Sequence, residues 1–196
     1  MLLILEPQYK NRGICKESDL VVELATNLQL DKHPNGGYFK ETDRPGERVL
    51  ARQINLSTGS LTNYPIKRNA SSLIHFLMTC ESPIGKFHTN VTSRTIHILQ
   101  KGSGIYVLIK PNGDIESFKV GFKKGERTQW VVEPGTFKGC YLIPESGIGS
   151  ESNSDCMLVS EVVVPGFDFE DMVFLNKEKL IEKIGEKEAE SLQFLL

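Results

Sequence analysis

The stretch Gly85-Lys86-Phe87-His88-Thr89-Asn90-Val91-Thr92-Ser93-Arg94-Thr95-Ile96-His97 decides how the rest of this chain folds on paper. It has the outline of a β-barrel metal-site motif with part of the metal chemistry removed. A working site of that kind sets a second histidine just after the first, then a carboxylate. Here His88 stands, the second slot holds Asn90, and the carboxylate slot holds Arg94. Asparagine is a poor ligand for a transition metal, and a guanidinium has no lone pair to donate. The segment points to a pocket and argues against a resident metal.

Working outward, Arg94 begins a strand in which Thr95, His97 and Leu99 share one face and Arg94, Ile96 and Ile98 the other. From the pattern alone either face can point inward. His75 shares a face with Leu73 and Leu77. A lone histidine in a strand is ordinarily structural. His88 and His97 together favour a polar pocket, because buried imidazoles require hydrogen-bond partners.

Residues 49–57, 71–80, 94–100, 105–110, 115–120, 128–133, 137–143 and 156–164 have strand patterns. Pro111-Asn112-Gly113-Asp114 is a hairpin signal and Lys123-Lys124-Gly125-Glu126 a second turn. Short strands with turns at near-regular spacing predict an all-β sandwich or small barrel with short flanking helices. The first helix covers about 18–29, capped by Ser18 or Asp19, and stops before His33-Pro34, where Asn35-Gly36-Gly37 forces a turn. The last covers about 177–194, capped by Asn176, with Gly185 as its weak point. Residues 43–47 and 145–155 are polar, and the second of these has the composition of a loosely held insertion.

Three further segments carry candidate chemistry. In His33-Pro34-Asn35-Gly36-Gly37-Tyr38-Phe39-Lys40-Glu41-Thr42-Asp43-Arg44, Tyr38 or Glu41 beside a histidine makes an acid/base pair; the alternative is a charged edge strand. In 125–139, Gln129 and Lys138 can project polar heads into a cavity, or the segment is only a barrel corner. Val164-Pro165-Gly166-Phe167-Asp168-Phe169 closes the fold, with Asp168 bonding nearby backbone.

Composition removes several classes. A chain of 196 residues is long enough for one core, and a single domain over 1–196 with a barrel at about 33–175 is expected. Net charge is −2 and basic residues are spread out, which argues against nucleic acid and anionic lipid as partners. No apolar run reaches the roughly 18 residues of a membrane helix. The apolar start, Met1 to Pro7, lacks a basic leader and a long core, so a secretory signal is not expected. Cys15, Cys80, Cys140 and Cys156 form no C-x-x-C pair and are expected as free thiols in a reducing compartment, the cytoplasm or the nucleus.

The segments, in this order, resemble the cupin superfamily. More narrowly they are similar to a small uncharacterised cupin family whose H-P-x-G-G-Y-F-x-E-T opening matches His33 to Thr42. Its S-x-x-I-x-F-L-L strand resembles Ser71 to Met78, its H-x-L-x-S-D-E-x-W-H segment His88 to His97, and its G-E-x-x-Q-x-V-V-P-x-G-x-W segment Gly125 to Phe137. Its P-G-F-D-F ending is Pro165 to Phe169. The resemblance implies a double-stranded β-helix, the cupin jelly-roll barrel, commonly a homodimer, with a pocket in the barrel. Against the general cupin metal pattern, Asn90, Arg94 and Lys138 stand in ligand slots, so no metal and no other cofactor is expected. The expected function is binding of a small molecule, anionic or sugar-like, by His88, Asn90, Arg94, His97, Tyr38, Glu41, Gln129 and Lys138. An anionic ligand is expected if Arg94 enters the pocket. The alternatives are a metal-free isomerase or epimerase acting on a sugar or sugar nucleotide, with His88 or His97 as base and Tyr38 as acid, and a metal-dependent enzyme with an unusual histidine site.

Overall fold

Strand alternation sorts side chains between an interior and two outer faces. The computed structural model describes residues 7, 9, 15–33, 36–147 and 149–196. Helix α1 (Asp19–Asn27) precedes the strands β1 (Asp31–Lys32), β2 (Tyr38–Asp43), β3 (Arg48–Ala51), β4 (Ile66–Asn69) and β5 (Ser72–Thr79). Then follow β6 (Ile84–Asn90), β7 (Arg94–Lys101), β8 (Gly104–Ile109), β9 (Ile115–Val120) and β10 (Gln129–Val132). The last strands are β11 (Phe137–Leu142), β12 (Cys156–Val164) and β13 (Met172–Phe174), and α2 (Lys177–Ile184) and α3 (Glu186–Leu192) end the chain.

One sheet has the order β1-β2-β5-β12-β7-β10 and the other β13-β6-β11-β8-β9, while β3 and β4 pair separately. Every pairing between these strands is antiparallel. This is a jelly roll. In β8, Tyr106 and Leu108 enter the core between the sheets, with Leu99, Trp130 and Val159 of the opposite sheet. Ile105, Val107 and Ile109 face outward beneath Leu180, Ala189 and Leu192 of the C-terminal helices. On the other outer face, Val21 and Ala25 of α1 cover Leu77 and Leu158.

Several expected elements need correction. The C-terminal helix is two helices, because Gly185 takes φ +83° between α2 and α3. Asn176 caps α2, its side chain accepting from the Lys179 N–H at 2.9 Å. The strand expected over 49–57 ends at Ala51, and only an isolated bridge from Ile54 to Leu61 follows. In the segment expected to be loosely held, residues 152–155 are tied down: Asp155 accepts from the Ser152 N–H at 2.8 Å and from the Tyr9 hydroxyl, and Ser18 N–H donates to the Asn153 carbonyl at 3.1 Å. The apolar start (1–6) and the turn residues Pro34 and Asn35 lie outside the described residues, while Gly36 and Gly37 both take positive φ.

The cysteine expectation fails for one pair. Cys15 and Cys80 form a disulfide across a sequence separation of 65, with Cα atoms 5.7 Å apart. Cys140 and Cys156 are free and buried. The distance along the chain hid the pairing, since spacing alone carries no partner information. Reducing this bond is expected to lower the unfolding free energy by up to about 4 kcal/mol for a loop of this length, and with it the urea midpoint. Cys80→Ser measured without reductant should reproduce the drop, and an unchanged midpoint in both would show that the bond constrains nothing.

Candidate functional site

The site follows from register. In β6, Phe87 faces outward into the helix-covered core, so His88 faces the interior. In β11, Phe137 and Tyr141 face outward while Cys140 and Leu142 face inward, which sends Lys138 inward as well. Lys138 is the cross-strand partner of His88. In the opposite sheet, Glu161 of β12 is the cross-strand partner of His97 of β7. Cross-strand partners sit side by side on one face. Each sheet therefore contributes an adjacent polar pair to the same interior.

Lys138 joins the pairs across the barrel. Its Nζ lies 2.9 Å from His97 Nε2 and donates to Glu161 Oε2 at 2.8 Å. His97 is 0%, Lys138 6% and Glu161 9% exposed, so the three compensate one another out of water. The face that turns inward in β7 is the one with Thr95, His97 and Leu99. His97 stacks on Trp130, with ring centroids 5.0 Å apart, and meets Tyr106 edge-on at 5.6 Å.

A cavity of about 390 Å³ opens above this cluster. His88, Asn90, Lys138, Glu161 and Glu41 line it, with Phe39, Phe76 and Phe167 among its apolar walls. His88 Nδ1–H donates to the Lys86 carbonyl at 2.9 Å, which leaves the lone pair on Nε2. Burial, then the charge of Lys138, lowers the His88 pKa to about 4 and that of His97 to about 3. Both imidazoles are neutral near pH 7. Since His97 is neutral, its Nε2 accepts from Lys138. Burial pushes Glu161 up, but Lys138 and His97 outweigh it and hold the carboxylate at about 2. Burial pushes the Cys140 thiol up to about 12, so it is not a thiolate nucleophile despite lining the cavity.

The mouth is braced by the segment after β12. Arg44 is bidentate to Glu41, at 2.8 and 2.6 Å, and donates to the Phe167 carbonyl at 2.9 Å. Behind it, buried Asp171 accepts from Arg68 at 2.8 and 2.9 Å and from Gln53 at 2.9 Å. Asp168 accepts from the Glu170 N–H at 3.0 Å and starts the short turn that carries Phe169 to the rim.

Of the expected site residues, His88, Asn90, Glu41 and Lys138 line the cavity, and His97 supports Lys138 from behind. Three are placed elsewhere. Tyr38 packs outward beneath α1, and its hydroxyl donates to Glu17 at 2.6 Å. It shares the outer face of β2 because its neighbour Phe39 takes the inner one. Arg94 is exposed and donates to Glu133 at 2.9 Å, so it offers nothing to an anion in the barrel. Gln129 is exposed on β10, while its neighbour Trp130 points inward. Sequence reasoning missed Glu161 and Tyr106, which line the cavity together with His33 of the segment that carries Tyr38 and Glu41. The signal for Glu161 was available, as a lone carboxylate in the apolar run Cys156-Met157-Leu158-Val159-Ser160-Glu161-Val162-Val163-Val164.

The donor set does not fit a metal. Among the described residues no group of three His, Cys, Asp or Glu side chains is placed to hold an ion. His97 Nε2 and Glu161 Oε2, the donors nearest such a role, both face the Lys138 Nζ.

The shifts give a pH dependence. His97 is depressed from 6.5 to about 3, so the unfolded state binds a proton that the folded state refuses between these values. Stability from His97 is present above about 6.5 and is lost as pH falls toward 3, by at most about 1.4 kcal/mol per pH unit. Glu161 adds a loss as pH falls from 4.5 toward 2. Urea midpoints are expected to fall steadily from pH 7 to pH 4, and His97→Gln to flatten that fall. A native profile flat over this range contradicts the assignment.

Comparison with known proteins agrees with this architecture. The profile of the Cupin superfamily (DUF985) matches residues 22–175. An uncharacterised protein of Saccharomyces cerevisiae, YML079W, is 49% identical over 177 residues, covering 88% of this chain and 84% of its own. Protein SO0799 from Shewanella oneidensis superposes with a TM-score of 0.65 at 22% identity, over 92% of this chain and 97% of its own. A hypothetical protein from Leishmania major gives 0.63 at 28% identity, over 82% and 90%. No described helix is long and apolar enough to cross a membrane. With the profile spanning most of the chain and a relative near half-identical, the chain belongs to the DUF985 family of the cupin superfamily.

Proposed function

We propose that this cupin binds a small, neutral, hydroxyl- or carbonyl-bearing molecule in its barrel, held by hydrogen bonds from protein groups. The observation that carries the proposal is the cavity of about 390 Å³ floored by Lys138, Glu161 and His88. Lys138 has three N–H donors, of which His97 and Glu161 take two. His88 Nε2 supplies an acceptor next to it. A hydroxyl, which both donates and accepts, matches this mixture. Charge favours a neutral ligand over a phosphate. Lys138 and Arg44 are each paired with a carboxylate, and Arg94 lies outside. The aromatic walls suit the apolar face of a sugar ring.

The cross-strand placement of His88 and Lys138 supports a second reading, a metal-free isomerase or epimerase. His88 Nε2 would take a proton from carbon beside a carbonyl. The C–H electron pair would pass to the carbonyl oxygen, where an N–H of Lys138 would stabilise the enolate. Return of the proton to the other face or the other carbon would complete the reaction. Tyr106, which lines the cavity, takes the place in this reading that Tyr38 held on sequence grounds.

A calorimetric panel of monosaccharides, sugar nucleotides and 2-oxo acids tests binding. At least one neutral member is expected to bind, with affinity reduced tenfold or more by His88→Gln and by Lys138→Met, and unchanged by Arg94→Ala. Binding insensitive to both interior changes, or abolished by Arg94→Ala, overturns the proposal. For the second reading, a bound carbonyl compound is expected to gain deuterium from D2O with the native protein and not with His88→Gln.

A further inference from the structure

The fold brings a histidine and a carboxylate, His97 and Glu161, to one interior point, company that suits a cation. What stands among them is the end of a lysine. We propose that Lys138 is a tethered cation that takes over the electrostatic role of a bound metal ion, and that this chain is a metal site converted to a lysine site. The distances carry the inference. Lys138 Nζ contacts His97 Nε2 at 2.9 Å and Glu161 Oε2 at 2.8 Å, while His97 Nε2 and Glu161 Oε1 are themselves 3.6 Å apart. Both point their lone pairs at one centre, as ligands do. His88 flanks the same lysine through the β6–β11 register. An isolated Lys138 or Glu161 at this depth would be strongly unfavourable, so the cation is part of the fold and not a loosely held extra.

The conversion has a chemical meaning. An ammonium donates hydrogen bonds to a ligand oxygen, as a metal would draw it in by coordination, but it neither changes oxidation state nor binds dioxygen. It is also covalently attached, so chelators cannot remove it. The ligand group it serves is an electron-rich oxygen, a carbonyl or hydroxyl, reached by the N–H that His97 and Glu161 leave over.

The test restores the metal. A histidine at position 138, followed by a metal–nitrogen bond of about 2 Å, spans roughly the length of the lysyl stem, so the ion would stand near the place of Nζ, within reach of His97 and Glu161. Lys138→His is expected to bind one Zn²⁺ or Ni²⁺ per chain at least 100-fold more tightly than the native protein. The double change Lys138→His with His97→Ala should lose that gain. In Lys138→Ala, ethylammonium or Zn²⁺ is expected to raise the melting temperature, and ethanol to leave it unmoved. A native protein that binds Zn²⁺ as tightly as Lys138→His overturns the proposal. So does a folded Lys138→His with no gain, or rescue of Lys138→Ala by ethanol alone.

If neither variant folds, nitrogen NMR of native His97 decides. An Nδ1–H tautomer with Nε2 as acceptor supports the proposal, and an Nε2–H tautomer rejects it. None of these readouts involves the organic ligand, so failure here is distinct from failure of the binding panel.

Discussion

The contact of Lys138 with Glu161 and His97 is the constraint on which the interior depends. It crosses from β11 in one sheet to β12 and β7 in the other, at a point where apolar side chains would otherwise meet. Such an interaction contributes little net stability when complete, yet removing one member leaves a buried charge without compensation and costs about 3–5 kcal/mol. Its value lies in exclusivity. A slip of one residue in any of these strands would send its polar group outward and put an apolar neighbour in its place. The cluster thus specifies one register for both sheets.

Around that cluster the barrel divides into a solid half and a hollow half. The solid half is filled by Tyr106, Phe118, Trp130, Leu142, Met157 and their neighbours. The hollow half is held open from its edge, where Arg44 binds Glu41 and the Phe167 carbonyl, and where Asp171 gathers Arg68 and Gln53. Apart from the Arg44–Glu41 pair, these braces join segments distant in sequence. They keep the aromatic rim in place without filling the space beneath it. That is the physical reason a cavity survives in a fold whose hydrophobic drive is to close it.

Much of this was legible in the residues. β9 and β12 fall at their expected limits, and Gly113 turns the hairpin between β8 and β9 with φ +86°. These elements are local: period, turn chemistry and capping act over a few residues. Gly185 is a weak point by helix propensity, but whether a helix bends or breaks there depends on what its halves pack against. The site was legible in part, because parity within a strand is local whereas facing is not. Strand parity puts Phe39 with Glu41 on one face and Tyr38 on the other, but parity alone does not say which face is inner. The Cys15–Cys80 bond and the Lys138–Glu161 pair were invisible for the same reason. Each joins distant positions that only tertiary folding makes neighbours.

Trp130 has a consequence of its own. It is the single tryptophan of the chain, and its ring lies stacked on His97, nearly parallel at 11°. All indole emission from this protein therefore originates one ring away from the polar centre. Charging the imidazole, shifting the lysine or drying the cavity changes the surroundings of the chain's one indole. The barrel carries an optical reporter of its own interior, readable without a label.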